Sequence, residues 1–198
     1  MNQKKMTILN SLTFVEVEIS QKIAGLLCSA ILSDTLIFHS PTCTERDRRA
    51  AVELASIAGI TDIVAYAKEM FRAGGNLGQK TPQEILFQDF KRFHSGKIAF
   101  GVGQISLLDE EELAQIREEM REYLHVHFAE LKLEQVYFLL TNIQDQSSVV
   151  LFCGHGAKEA LGKGFSKEVP EDSMLLPGVV SRKKQFIPAL MTALQEQS

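Results

Sequence analysis

The first third of the chain has the apolar spacing of helices. Between Ile23 and Ile31, apolar residues recur at steps of three and four, which is the repeat of a helix with one buried face. Ser20 stands where a side chain can cap the start of this helix. Two further amphipathic segments, 45–58 and 61–73, come after a loop. This part of the chain is therefore predicted to be mainly helical.

A glycine-rich segment separates this part from the remainder. Residues 74–81 contain three glycines and precede Pro82, and no periodicity continues through them. We expect a hinge there, between one domain formed by residues 1–73 and another formed by 82–198. The apolar pattern does not decide the conformation of residues 6–17, because it suits a strand, a helix or a swapped arm.

The second domain alternates helical and strand patterns. The elements expected in it are a helix at 82–93, a strand at 97–106, a charged helix at 109–128, a hairpin of 136–141 with 149–153, and a terminal helix at 186–194. Helices and strands in this mixture predict an α+β fold.

Composition excludes two classes of partner. The 198 residues carry a net charge of −4 with 23% charged residues, which does not fit a nucleic-acid binder. No apolar run approaches the roughly 20 residues that span a bilayer, so no membrane partner is expected. Three widely spaced cysteines fit neither a disulfide framework nor a zinc knuckle. We expect reduced thiols, with Cys153 buried, and a cytoplasmic location.

Arg182, Lys183 and Lys184 form a concentrated cluster of positive charge. An arginine fork binds two phosphate oxygens at once and a lysine adds a point charge, so the trio suits a multiply charged oxyanion. Ser181 is placed to add a hydroxyl donor. The other interpretation is a solvated surface cluster. Three cations at the start of a helix oppose its dipole unless an anion is bound, which favours the binding interpretation.

Asp34 lies between Ser33 and Thr35 at the end of the first predicted helix. A carboxylate there either makes local capping hydrogen bonds or meets a metal ion. One carboxylate cannot hold a metal, so further ligands would have to come from elsewhere. His125 and His127 point to different faces of a helix and are expected at the surface.

Three motifs, in this order, resemble those of the class II, manganese-dependent inorganic pyrophosphatases of the DHH superfamily. They are Ser33-Asp34-Thr35, Ser40-Pro41-Thr42, and the Ser-Arg-Lys-Lys-Gln run of 181–185. The resemblance covers the chain from about Val17 onward. It implies an α/β (α+β) fold. Residues 1–73 would be a mainly helical remnant of a DHH metal-binding domain, 74–81 a linker, and 82–198 a DHH-associated domain with a mixed β-sheet flanked by helices.

The resemblance also implies roles for individual residues. Asp34 would be a ligand of a dinuclear Mn²⁺ centre, with Mg²⁺ or Co²⁺ as other metals. The residues that would bind pyrophosphate are Arg182, Lys183 and Lys91, with Ser181 and Lys184 as further candidates. These cations would neutralise phosphoryl oxygens while pyrophosphate is hydrolysed to phosphate. The implied enzyme is an inorganic diphosphatase. We also expect a homodimer, because residues 1–73 as a partial domain would expose apolar surface that favours self-association.

Two motifs of that family are missing from the sequence. Neither a His-x-x-x-Asp-x-Asp motif nor an Asp-His-His motif occurs, and Asn142 stands where an acidic residue is expected. We therefore expect the chain alone to bind pyrophosphate weakly, with negligible turnover unless another segment supplies the metal ligands. The alternative is a non-catalytic module that binds phosphate or polyphosphate.

Overall fold

A computed structural model describes residues 5–10, 13–74 and 77–195, together with the side chains of most of them. The chain divides into a first unit, Met1–Ala73, and a second unit, Gly74–Ser198. We describe the two units separately.

The first unit consists of a hairpin and three helices. Its elements are β1 (Lys5–Asn10), β2 (Thr13–Glu18), α1 (Gln21–Asp34), α2 (Glu45–Ala58) and α3 (Ile63–Gly74). The two strands are antiparallel, so the stretch left open by the apolar pattern contains strands. The Thr44 side chain and the Asp47 carboxylate form a reciprocal cap at the start of α2. Gly59, with φ of 79°, ends that helix.

The second unit is built on a five-stranded sheet. Its elements are α4 (Pro82–Gln88), β3 (Phe90–Ser95), β4 (Ile98–Leu107), α5 (Glu110–His127), β5 (Gln135–Asn142), β6 (Ser147–Gly154), α6 (Ala157–Phe165), β7 (Ser173–Pro177) and α7 (Ile187–Gln195), with short 3₁₀ turns at Leu77–Gln79 and Phe128–Leu131 and a π-helical turn at Arg182–Phe186. The strand order follows the sequence from β3 to β7. Only the β4–β5 pair is parallel, and α5 connects these two strands. The predicted mixed sheet flanked by helices is confirmed.

Apolar side chains cover both faces of this sheet. One core packs α4 and α5 against the sheet through Leu86, Met120 and Phe138. The other core packs α6 and α7 against the opposite face through Leu161, Leu190 and Tyr137. All eight residues of β5 are buried. A strand that is covered on both faces has a nearly continuous apolar sequence, and this is why the apolar run at 136–140 predicts β5 so clearly.

The predicted helix at 82–93 is wrong in its second half. The helix α4 ends at Gln88, and Asp89 leaves helical geometry with φ of −144° and ψ of 63°. Residues 90–95 instead pair with β4 in an antiparallel ladder. Pairing with a strand further along the chain prevails over the local helical pattern. Lys91 therefore lies on a strand rather than on a helix.

Within the described ranges, no single helix is long and apolar enough to cross a membrane. The helices α2 and α3 together have the required length and composition, but they are bent by 87° at their junction.

Gly154 offers a test of the sheet packing. Its φ is 107°, and a Cβ there would overlap the Glu134 carbonyl oxygen and come within 2.9 Å of Gln135 Cα. We expect Gly154→Ala to lower the free energy of unfolding by about 2–3 kcal/mol, measured by urea denaturation. Gly74→Ala is the matched control, because nothing lies within 4 Å of a Cβ at that position. Equal losses in both variants would contradict this packing.

Candidate anion site

The segment 178–186, which we call the basic loop, is held closed by one glutamine. Gln185 Oε1 accepts hydrogen bonds from the backbone N–H groups of Val180 and Ser181, each at 3.0 Å. Gln185 Nε2 donates to the Gly178 carbonyl oxygen at 2.6 Å. Gly178 itself has φ of 76°, a left-handed conformation that favours glycine. The last residue of the Ser-Arg-Lys-Lys-Gln run thus fixes the backbone of the loop that carries the cations.

Arg182, Lys183 and Lys184 are the first three residues of the π-helical turn Arg182–Phe186. The Ser181 carbonyl oxygen accepts from the N–H groups of Gln185 at 3.0 Å and Phe186 at 3.2 Å. Ser181 Oγ accepts from the Lys184 N–H at 3.2 Å. The Ser181 hydroxyl therefore caps the turn, and its hydrogen is still available for donation. Single π turns of this kind are frequent at functional sites.

A buried chain of polar side chains connects the sheet to the basic loop. Thr141 Oγ1 lies 2.8 Å from Ser148 Oγ, and Gln104 Nε2 donates to Thr141 Oγ1 at 2.8 Å. Gln104 Nε2 also donates to the Val180 carbonyl oxygen at 3.0 Å. Gln104 Oε1 accepts from the Arg182 backbone N–H at 3.2 Å. Strands β4, β5 and β6 thereby fix where the loop begins its π turn.

Arg182 is buried, whereas the two lysines after it are exposed. Its side chain is 10% exposed. Arg182 Nη2 donates to Asp89 Oδ1 at 2.9 Å, and Nη1 donates to the carbonyl oxygens of Asp89 and Val102. The alternative of a solvated surface cluster is wrong for Arg182, because a buried guanidinium needs acceptors that water would otherwise provide. Lys183 and Lys184 are exposed, which is compatible with a surface cluster and with an anion site.

Lys91 lies on β3, the strand that pairs with β4. It is exposed, and its register partner on β4 is Val102, whose carbonyl oxygen accepts from Arg182 at 3.2 Å. Phe93 shares a face of β3 with Lys91 and packs into the core beneath α6 and α7. The Gln104 side chain, which lies on the same face of β4 as that of Val102, accepts from the Arg182 backbone N–H, so Lys91 and the basic loop are on one face of the sheet. Among the described residues, neither Lys91 nor Lys183 forms an ion pair.

Asp34 is exposed at the last position of α1 in the first unit. Thr35, not Asp34, caps this helix end: its Oγ1 donates to the Ile31 carbonyl oxygen at 2.7 Å and accepts from the Phe38 N–H at 3.2 Å. The Asp34 carboxylate has no hydrogen bond with the part of the chain that the structure describes. The capping interpretation of Asp34 thus has no support in the structure.

A strained turn follows Asp34 directly. Leu36, Ile37 and Phe38 have φ of 49°, 53° and 69°. Left-handed geometry costs an L-residue roughly 1–2 kcal/mol, and a β-branched residue adopts it rarely. Arg48 stabilises the turn, because its Nη2 donates to the Phe38 carbonyl oxygen at 2.9 Å. Strain of this kind concentrates at functional sites, which is consistent with a role for the segment that begins at Asp34.

The described residues do not form a metal centre on their own. No group of three or more His, Cys, Asp or Glu side chains is close enough to hold an ion in the ranges that the structure describes. A Mn²⁺ or Mg²⁺ ion requires several oxygen ligands, and Asp34 offers one carboxylate. His125 is exposed, and His127 stacks on Tyr123 with ring centroids 4.5 Å apart. These two histidines lie at the surface, as predicted.

The structure also explains Cys153 and Asn142, two residues singled out in the sequence. Cys153 is half-buried rather than fully buried, and burial raises the pKa of its thiol, which disfavours a nucleophilic thiolate. Asn142 Oδ1 accepts from the N–H groups of Gln144 at 2.9 Å and Asp145 at 3.0 Å. Asn142 therefore shapes the turn between β5 and β6.

A separate groove lies beside α5, on the opposite face of the sheet. Its volume is about 270 Å³, and its lining includes Glu110, Arg117, Asn142 and Asp145. Its walls bring two carboxylates close to one cation, which makes it a poor site for a polyanion. The basic loop is the better candidate for an oxyanion.

Sequence reasoning assigned no role to three residues of this site. Gln104 and Gln185 are amides that hold the basic loop, and Asp89 is the carboxylate that pairs with Arg182. Asp89 stands two positions before Lys91, so the Asp-Phe-Lys run contained the available signal. Gln104 is separated from Arg182 by 78 positions, and no local pattern marks that pairing.

These features define a mixed-sheet α/β domain with a buried arginine and a lysine-bearing π turn. A family model described as the DHHA2 domain matches residues 68–193. The chain belongs to this family.

Similar proteins cover nearly the whole chain. The manganese-dependent inorganic pyrophosphatase of Methanothrix thermoacetophila is 39% identical over 181 residues, which is 91% of this chain and 58% of the relative. A cobalt-dependent inorganic pyrophosphatase of Clostridium perfringens is 41% identical over 171 residues, which is 86% of this chain and 31% of the relative. The chain thus spans less than two thirds of these relatives.

A solved structure shares the fold. The crystal structure of a Methanococcus jannaschii protein assigned to the family II inorganic pyrophosphatases matches with a TM-score of 0.78 and 36% identity. The match covers 91% of this chain and 58% of that protein.

The buried polar chain predicts a specific loss of stability. Thr141→Val keeps the shape of a fully buried side chain but removes the hydroxyl shared by Gln104 and Ser148. We expect the free energy of unfolding in urea to fall by about 1–2 kcal/mol, because buried polar groups lose their partner. Thr192→Val is the control, because it removes an exposed hydroxyl and should change the free energy of unfolding by less than about 0.5 kcal/mol. Unchanged stability of Thr141→Val would contradict the network.

Proposed function

We propose that this chain is the substrate-binding part of a manganese-dependent inorganic pyrophosphatase, which hydrolyses pyrophosphate to phosphate. The observation that carries the proposal is the juxtaposition of Arg182 and Lys183 in the basic loop with the strand that bears Lys91. The names of the relatives support the same substrate and reaction.

The chemistry of these residues matches pyrophosphate. Lys183, Lys184 and Lys91 are exposed point charges that bind multiply charged phosphoryl groups. Arg182 adds directional donors from a fixed position. In the proposed enzyme these cations neutralise the phosphoryl oxygens and orient the anhydride, which are the main protein contributions to phosphoryl transfer. We assign no catalytic residue in this chain.

The proposal treats Asp34 as one ligand of the metal site. Mn²⁺ is the proposed metal, with Mg²⁺ and Co²⁺ as substitutes, and a cobalt-dependent relative supports the last of these. The other ligands come from outside the described residues, since those contain no suitable group of three. In this assignment residues 1–73 belong to a DHH domain, 74–81 form the hinge and 82–198 form the DHH-associated substrate domain.

A non-catalytic module that binds phosphate or polyphosphate is the second candidate. It is favoured by the fact that exposed lysines beside a buried arginine bind phosphoryl groups without a metal. The two candidates differ in the effect of metal. For the pyrophosphatase, Mn²⁺ should strengthen pyrophosphate binding by the wild-type chain more than by Asp34→Asn, measured by calorimetry. Equal responses of both proteins to Mn²⁺ would favour the module.

Calorimetry on lysine variants tests the substrate site. Lys183→Ala should weaken pyrophosphate binding about tenfold, because a charged contact contributes roughly 1.5–3 kcal/mol and tenfold corresponds to about 1.4 kcal/mol. Lys97→Ala is the matched control: this exposed lysine lies in the turn at the far end of the β3–β4 hairpin from Lys91.

The control separates site binding from general attraction of an anion. Lys97→Ala should change the dissociation constant by less than about twofold, because exposed charges at a distance are screened by salt. Equal weakening by Lys183→Ala and Lys97→Ala, or no weakening by Lys183→Ala, would overturn the proposed substrate site.

The proposed protein is a cytoplasmic homodimer. The three cysteines are free, which agrees with a reducing compartment. Apolar side chains on α1 and α2 support self-association, since Leu26 is 68% exposed and Val52 is 58% exposed. Light scattering should give twice the monomer mass for the wild-type chain and a lower mass for Leu26→Glu. A monomeric wild-type chain would contradict the dimer.

A further inference from the structure

Asp89 binds the Arg182 guanidinium twice. It stands between α4 and β3, where its carboxylate accepts from Nη2 at 2.9 Å and its own carbonyl oxygen accepts from Nη1. Val102 provides a third acceptor at 3.2 Å. One residue thus supplies two of the three bonds that set the orientation of the arginine, across 93 positions of the chain.

These bonds leave part of the guanidinium available. Arginine has five N–H donors, and three of them have acceptors here. The Nε–H and one Nη2–H have no acceptor among the described residues. The side chain as a whole is 10% exposed, so little of it reaches solvent. A guanidinium edge with two donors is the geometry that binds two oxygens of a phosphoryl group.

The same pair joins the segments that carry the lysines. Asp89 lies two residues before Lys91, and Arg182 directly precedes Lys183. The contact between Asp89 and Arg182 therefore fixes the start of β3 against the basic loop. The bonds that Val102 and Gln104 make with Arg182 also hold the basic loop on β4, but they do not involve β3.

We propose that Asp89 is a positioning residue of the anion site, which holds Arg182 so that the free guanidinium edge and the flanking lysines face one phosphoryl ligand. The proposal rests on the proposed function for the identity of the ligand. It differs from two other roles for Asp89. If the Asp89 carboxylate only competed with the ligand for Arg182, the ligand would displace it. If it only stabilised the fold, its removal would not affect ligand binding.

A second arginine–aspartate pair in the same unit provides the control. Arg121 and Asp172 are 3.1 Å apart, with side chains 49% and 63% exposed. Asp89→Ala and Asp172→Ala each remove one negative charge from such a pair. General electrostatic attraction would respond to both changes in the same direction, whereas only Asp89 of these two aspartates contacts Arg182.

The first arm of the experiment follows the arginine side chain without any ligand. In ¹H–¹⁵N spectra of the full chain, the Arg182 Nε–H signal is identified by its loss in Arg182→Lys. We expect its chemical shift to change and its order parameter, which reports the rigidity of the side chain, to fall in Asp89→Ala and in the isosteric Asp89→Asn, and both to stay unchanged in Asp172→Ala. An unchanged Arg182 signal in both Asp89 variants overturns the proposal, whatever the protein binds.

The second arm measures pyrophosphate binding by calorimetry. Asp89→Ala should weaken binding about fivefold to tenfold, although it removes a negative charge, and Asp172→Ala should change binding by less than about twofold. Equal or tighter binding by Asp89→Ala overturns the proposal, because Asp89 would then be a spectator or a competitor. Failure of the wild-type chain to bind pyrophosphate overturns the proposed function instead. The first arm still decides whether Asp89 fixes Arg182.

Discussion

The second unit depends on the burial of one arginine charge. Removing a guanidinium from water is unfavourable unless protein groups replace the lost hydrogen bonds. Arg182 meets this requirement through Asp89 and Val102, and its backbone N–H is bound by Gln104. These contacts require the α4–β3 corner, the middle of β4 and the basic loop to be close together. The position of the exposed lysines follows from that constraint.

The sheet provides the rigid support for this arrangement. Thr141 lies on the fully buried strand β5 and hydrogen-bonds Ser148 on β6 and Gln104 on β4, each at 2.8 Å. These two bonds connect the three strands through their side chains. The basic loop is fixed on its other side by Gln185. Hydrogen bonds on both sides of the basic loop fix its side chains before an anion binds, so less conformational entropy is lost on binding.

Sequence patterns predicted elements whose signal is local. The strands β5 and β6 and the stripe of α5 follow from apolar runs and from three- and four-residue spacing. The end of α4 was mispredicted, because β3 exists only through pairing with β4. Charge alone left a surface cluster and an oxyanion site both open for Arg182, and the family resemblance then implied pyrophosphate as the ligand. Its pairing with Asp89 spans 93 positions and depends on the folded sheet, so no periodicity reveals it.

The central claim is that the basic loop and the strand bearing Lys91 form one pyrophosphate site. Backbone ¹H–¹⁵N NMR of the chain during titration with pyrophosphate tests this most directly. The account predicts the largest shifts at the N–H groups of Ser181 to Lys184 and of Lys91, saturating with a single dissociation constant. Shifts confined to the groove around Arg117 and Asn142, or no saturable shift at the basic loop, would contradict it.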